Sequence, residues 1–106
     1  MSILDKMTEI EGHLDVLAKS RKIGKAQSLQ PLDDYYQLLI NYFCFINDIQ
    51  DISEAPLNTL KIVPFNFDER LEYIQERKHH YMGYQQMKTL KSELIKMNAA
   101  YRAKNN

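Results

Sequence analysis

Glycine and proline are scarce, with three of each in 106 residues. An all-β chain of this length needs a turn about every ten residues, usually built on those two residues, so the composition argues against that architecture. The same scarcity argues against a disordered chain. Cysteine occurs once, at Cys44, so no disulfide can form within the chain. Cys44 lies inside an apolar run, where a thiol behaves as a small hydrophobe. No apolar run approaches the roughly 20 residues that cross a bilayer. The opening MSILDKM lacks the basic and then apolar segments of a signal peptide. These absences lead to the expectation of a cytoplasmic protein with no membrane segment. Net charge is absent too, with 14 basic and 14 acidic residues, which leaves little long-range steering toward a polyanion.

What is present is ordinary for a globular protein: 44% hydrophobic and 26% charged residues. The length is that of one domain, residues 1–106, able to bury a core without staples. The charges are unevenly spread. Residues 1–30 carry five basic and four acidic groups, residues 31–69 one basic and seven acidic, and residues 70–106 eight basic and three acidic. The expectation is that the acidic middle and the basic C-terminal third pack as neighbouring helices and pair charges across their rims.

Periodicity predicts helices. Ser2 can cap a first helix over 3–22, with Asp5 at its third position. Ile3, Met7, Ile10, Leu14 and Leu17 recur at steps of four and three as one narrow seam. Such a seam fits a groove of its own chain or a second copy, so these residues are also a candidate homodimer contact. Lys19, Arg21 and Lys22 suit the negative end of the helix dipole, and Gly24 can stop the helix. Pro31 suits the first turn of a central helix over Leu32–Ile52. Its seams, Leu32/Tyr35/Leu39/Tyr42/Ile46/Ile49 and Tyr36/Ile40/Phe43, with Leu38 and Phe45 beyond them, make it apolar around most of its circumference. Asn41 and Asn47 mark its wetter side. Residues 53–64 are irregular but apolar, and are expected to pack down on the core with a short helical turn after Pro56. Asn66 can cap a short helix with Glu69 at its third position, and Phe65 or Phe67 can close over its start. The phase shifts near Lys78–Gly83, where a break is expected. A last helix from about His80 to Ala103 carries the seam Tyr84, Met87, Leu90, Leu94, Met97, Tyr101. The fold class is therefore all-α: a compact bundle of about four helices, three long and one short.

The stretch Pro64–Tyr84, PFNFDERLEYIQERKHHYMGY, is the most distinctive. Pro64, Phe65 and Asn66, then Glu69, Arg70 and Leu71, Tyr73 and Ile74, Arg77, and His80 with Tyr81 resemble the pattern of the YpoC-like family, small proteins of Gram-positive bacteria. The likeness covers about a third of the chain, and Lys78 stands where the family pattern has a proline. The resemblance implies a small helical domain with no established activity, and transfers no catalytic residue.

The chemistry the residues can carry is limited. Glu76-x-x-His79 has the spacing of half a di-iron carboxylate site, but no second copy exists, and Glu9 with His13 stands alone. No phosphate loop, cofactor motif or placeable catalytic group appears, and Cys44 is expected to be buried, so no enzyme is predicted. Lys19, Arg21, Lys22 and Lys25 form one basic cluster and Arg77, Lys78, His79, His80 and Tyr81 another, which would serve nucleic-acid binding through the basic C-terminal third. Arg and Tyr anchor protein interfaces. Arg70, Tyr73, Arg77, His80, Tyr81 and Tyr84 are thus the candidate contact surface of an accessory or adaptor protein.

Overall fold

In a computed structural model the chain is a four-helix bundle; the structure describes residues 1–105. The helices are α1 (Ile3–Lys19), α2 (Ala26–Ile46), α3 (Phe67–Arg77) and α4 (Tyr81–Lys104), with a single 3-10 turn at Leu57–Thr59. No strand occurs among the described residues. α1 packs on α2, α3 on α4, and α2 bridges to α4. The expected fold class and the three long helices are all present.

The expected α1 seam faces inward. Met7, Leu14 and Leu17 are buried and Ile3 and Ile10 half-buried, packed within the chain. Most of the seam is thus used within the molecule, with Ile3 and Ile10 left partly accessible. Ser2 caps α1 as expected, its hydroxyl accepting from the Asp5 N–H at 3.1 Å. The stop differs. The Lys22 N–H donates to Leu17 O and the Arg21 N–H to Ala18 O, a Schellman closure with Arg21 left-handed at φ 56°. A non-glycine there costs about 1 kcal/mol of backbone strain. Gly24, at φ 98°, shapes the following turn rather than ending the helix.

α2 is shifted from its expected span by about six residues at each end. It starts at Ala26 because the Ser28 hydroxyl, fully buried, accepts from the Gly24 N–H and donates to Lys25 O. Pro31 is carried inside the helix, where it withholds one bond from the Gln27 carbonyl. The end comes at Ile46 by a second Schellman closure, with Asp48 left-handed and the Ile49 N–H donating to Cys44 O. Ile49 and Ile52 then pack on the core from the loop. Phe45, expected among several partners, is exposed. Asn47 is not a wet-side residue. Its amide donates to Ile62 O and accepts from Ile62 N–H, both at 2.9 Å, so it clamps the irregular segment to the end of α2. Ile62 is buried as a result.

At α3, Phe67 and not Phe65 closes over the start, stacked on Phe43 with centroids 4.4 Å apart. Asn66 holds the N-cap position but is left-handed at φ 55° and makes no side-chain cap bond. The break lies at 78–80, and α4 leaves so close to α3 that only glycine fits at 83. A Cβ there would sit 1.7 Å from Arg77 O. Gly83→Ala is therefore expected to destabilise by about 3 kcal/mol. Gly12→Ala, in open space within α1, should stabilise by about 0.5–1 kcal/mol. Urea midpoints of the two variants check the pair; equal effects would contradict this account of the joint.

Candidate functional site

Two groups of polar side chains draw the helices together. The first lies between α1 and α4. Tyr35 and Tyr84 are fully buried, ring edge to face at 5.6 Å. Each phenol needs an acceptor in that setting. The Tyr35 hydroxyl donates to Glu11 Oε2 at 2.6 Å, and the Tyr84 hydroxyl to Asp15 Oδ1 at 2.7 Å. Lys91 then pairs with Glu11, and Lys88 with Asp15 at 2.9 Å. Burial pushes both phenols far above their usual value, reinforced by the hydrogen bonds to Glu11 and Asp15. Burial also raises the Asp15 carboxyl, but the hydrogen bonds from Tyr84 and Lys88, with the charges of Lys88 and Lys19, outweigh it and hold Asp15 below 3.8.

The second group sits where the α1–α2 turn meets the α3–α4 joint. Asp33 Oδ1 lies 2.7 Å from His79 Nε2 and 3.0 Å from Lys78 Nζ. The His79 ring and the Lys78 ammonium hold the Asp33 carboxyl below its ordinary value. The Lys78 ammonium also lies over the Tyr36 ring, and Gln75 donates to the Tyr36 hydroxyl at 2.9 Å. His79 is thus engaged with Asp33, and Glu76 with its neighbour Arg77. Among the described residues no three His, Cys, Asp or Glu side chains converge as metal ligands. Cys44 is buried, and burial, then the charges of Asp51 and Glu54, push its thiol up.

The six candidate contact residues do not form one surface. Tyr84 belongs to the core and is withdrawn from the set. Tyr81 is half-exposed and lines a small groove with Ala18, Arg21 and Ile23 at the α1–α2 turn. His80 is exposed beside it in sequence. Arg70, Tyr73 and Arg77 share the flank of α3 that faces α4. The Arg77 guanidinium stacks on the Tyr73 ring at 4.3 Å. Arg70 pairs with Glu93 of α4 at 2.7 Å and donates to Phe65 O. Neither arginine reaches an acidic group on α2.

Phe65, expected with Phe67 as a residue that could close over the start of α3, lies instead on the surface. Its side chain is 82% exposed, at the edge of an open groove of about 490 Å³ lined by Asn66, Glu69, Arg70, Tyr73 and Gln86. Pro64 beside it is buried, Asn66 after it is left-handed, and Arg70 ties its carbonyl to α4. The exposure is imposed by the backbone, and no spacing rule signals it.

The basic C-terminal third is largely paired. Arg70, Arg77, Lys78, Lys88 and Lys91 each have a carboxylate within 4.0 Å, and Arg102 donates to Ile46 O. Most of those partners lie on α1, α3 and α4. Of the acidic middle only Asp33 takes part. The Glu11–Asp15 and Tyr84–Lys88–Lys91 spacings, on matching helical faces, were the available sequence signal for this seam.

Asp15 binds a proton near 3.8 when unfolded and only at lower pH when folded. Its stabilising contribution is complete above about pH 4 and is lost as the pH falls through the folded value. Asp15→Asn should flatten the acid limb of stability against pH, with Asp33 retaining a remainder. The phenols have the opposite sign: their contribution holds below about pH 10 and declines as the pH rises toward the folded values. Tyr35→Phe should lower stability at neutral pH by about 1–2 kcal/mol. Urea unfolding across the pH range tests both variants, and an acid limb identical in Asp15→Asn and the parent would contradict the assignment.

No curated protein and no solved structure matches the chain. A family model described as YpoC-like protein does, over residues 1–106. The match extends well beyond the third of the chain around Pro64–Tyr81 and takes in the α1–α4 seam, the Asn47 clamp and the Gly83 joint together. The chain belongs to the YpoC-like family.

Proposed function

We propose that this protein is a non-enzymatic accessory or adaptor module that binds another protein through the Val63–Phe67 turn and the adjoining flank of α3. The observation that carries the reading is Phe65, a large aromatic 82% exposed in a turn where Arg70 ties its carbonyl to α4. Folding gains nothing from a solvated phenyl ring, while a partner that buries it gains about 1.5–3 kcal/mol. Arg70, Tyr73 and Arg77 lie beside it, and aromatic and arginine side chains are the usual anchors of interfaces. The converging ionisable groups, Glu11, Asp15, Tyr35 and Tyr84, are already engaged with one another and with lysines. That engagement supports a structural role for them.

A second reading is association with nucleic acid, and one feature favours it. Gly24 lies against His79 O, so the exposed Lys19, Arg21, Lys22 and Lys25 come to the same end of the bundle as His80 and Tyr81. This end, and not the paired α4, would be the contact. Fluorescence anisotropy with labelled single-stranded DNA at low and raised salt decides it: no salt-dependent binding at micromolar protein removes the reading.

For the protein-contact reading, a photo-crosslinking side chain at position 65 of the full chain is expected to capture a discrete partner in cells. The same group at position 45, also exposed, should not. With that partner purified, Phe65→Ala should weaken binding about tenfold or more at unchanged stability. Equal capture from both positions, or an unaltered Kd, would remove the surface.

A further inference from the structure

The Phe65 surface carries a charge pattern that the fold does not use. Asp68, Glu69, Glu72 and Glu76 are all exposed, and at 100° per residue they lie within about 100° of the circumference of α3, on the side away from the buried Phe67, Leu71 and Ile74. Asp68 to Glu72 and Glu72 to Glu76 are like-charged i,i+4 neighbours, an arrangement that destabilises a helix. Asp68 and Glu69, in the first turn, are favoured by the helix dipole. Glu72 and Glu76 are not, and Glu76 stands in the last turn, where a negative charge is opposed by the dipole.

The nearby cations do not neutralise the stripe. Arg70 is turned to Glu93 and Phe65 O, and Lys78 to Asp33. Lys61 shares a groove with Asp68 and Glu69 but forms no ion pair with either within 4.0 Å. Arg77 lies on Tyr73 and reaches only Glu76. Among the described residues Asp68, Glu69 and Glu72 have no ion pair within 4.0 Å. Glu69 also lines two grooves at this turn: the one with Phe65, Tyr73 and Gln86, and a second of about 500 Å³ with Leu57, Leu60, Lys61 and Asp68. An exposed aromatic thus stands at the edge of a groove that Tyr73 shares, bordered along one side by carboxylates without an ion pair.

We infer that the partner of this surface is a basic segment: a stretch of another protein that offers lysine or arginine side chains to Asp68, Glu69, Glu72 and Glu76 and an apolar side chain to the groove beside Phe65. The inference rests on the protein-contact reading and adds its chemistry. Charge complementarity of this kind fixes orientation and speeds association, while the apolar contact supplies most of the affinity.

The probe is a phage-displayed library of random dodecapeptides selected on the full-length protein, with clones that also bind Phe65→Ala discarded. The expected result is enrichment of lysine and arginine next to a large apolar residue. A synthetic peptide from the selection should bind the triple variant Asp68→Lys, Glu72→Lys, Glu76→Lys about tenfold or more weakly, and should lose affinity as salt is added. The milder Asp68→Asn, Glu72→Gln, Glu76→Gln set should show a smaller loss in the same direction, with far-UV circular dichroism unchanged in both. Phe65-dependent peptides that are neutral or acidic would overturn the basic-partner inference and leave the surface standing. A selection that returns no Phe65-dependent peptide would overturn the surface, and the inference with it.

Discussion

Two phenols in the middle of the bundle set the terms for the helices around them. Tyr35 and Tyr84 carry enough apolar surface to be drawn fully inside, yet each has a hydroxyl that cannot be left without an acceptor there. α1 answers with Glu11 and Asp15, one turn apart. Two carboxylates at a partly buried seam need positive charge, and α4 supplies Lys88 and Lys91. The rotation of α1 about its axis and the register of α4 against it are matched to satisfying two oxygen atoms.

Helix identity was legible because apolar spacing reports a helical face whatever that face packs on. The seams Met7/Leu14/Leu17, Leu32/Tyr35/Leu39/Tyr42/Ile46 and Tyr84/Met87/Leu90/Leu94 are buried as spaced. Helix ends were less legible where they depend on tertiary relations. Pro31 suits a first turn, but the buried Ser28 hydroxyl can organise an earlier one. Arg21 and Asp48 adopt left-handed geometry that glycine prefers, so the residue types gave no warning of either stop. Asn47 looked like a solvent-side amide because its partner, the Ile62 backbone, is fifteen residues away.

The candidate surface was legible only in outline. Arg70, Tyr73 and Arg77 do share a flank, since i, i+3 and i+7 must coincide on any helix. The joint at 78–80 then turns the chain, so Tyr81 falls beside the α1–α2 turn and Tyr84 into the core. Phe65 and Phe67 are chemically alike and two residues apart. One is stacked on Phe43 and the other solvated because of a left-handed Asn66 between them. A single backbone torsion thus decides which ring belongs to the core and which to the surface.

The pairing of α1 with α2 and of α3 with α4 has a kinetic side. Each hairpin joins helices that are neighbours along the chain, so most of the loops to be closed are short and their entropy loss small. Contacts between the hairpins, such as Phe67 on Phe43 and Tyr35 on Tyr84, join residues far apart along the chain. α1 and α4 are the helices farthest apart in sequence, and they are tied by the tips of long side chains rather than by close backbone approach. Their carboxylate–lysine contacts close only when the two ends of the chain have met. The two hairpins are thus joined across the line of the buried tyrosines by charge pairs, which added salt weakens before it touches the apolar seams.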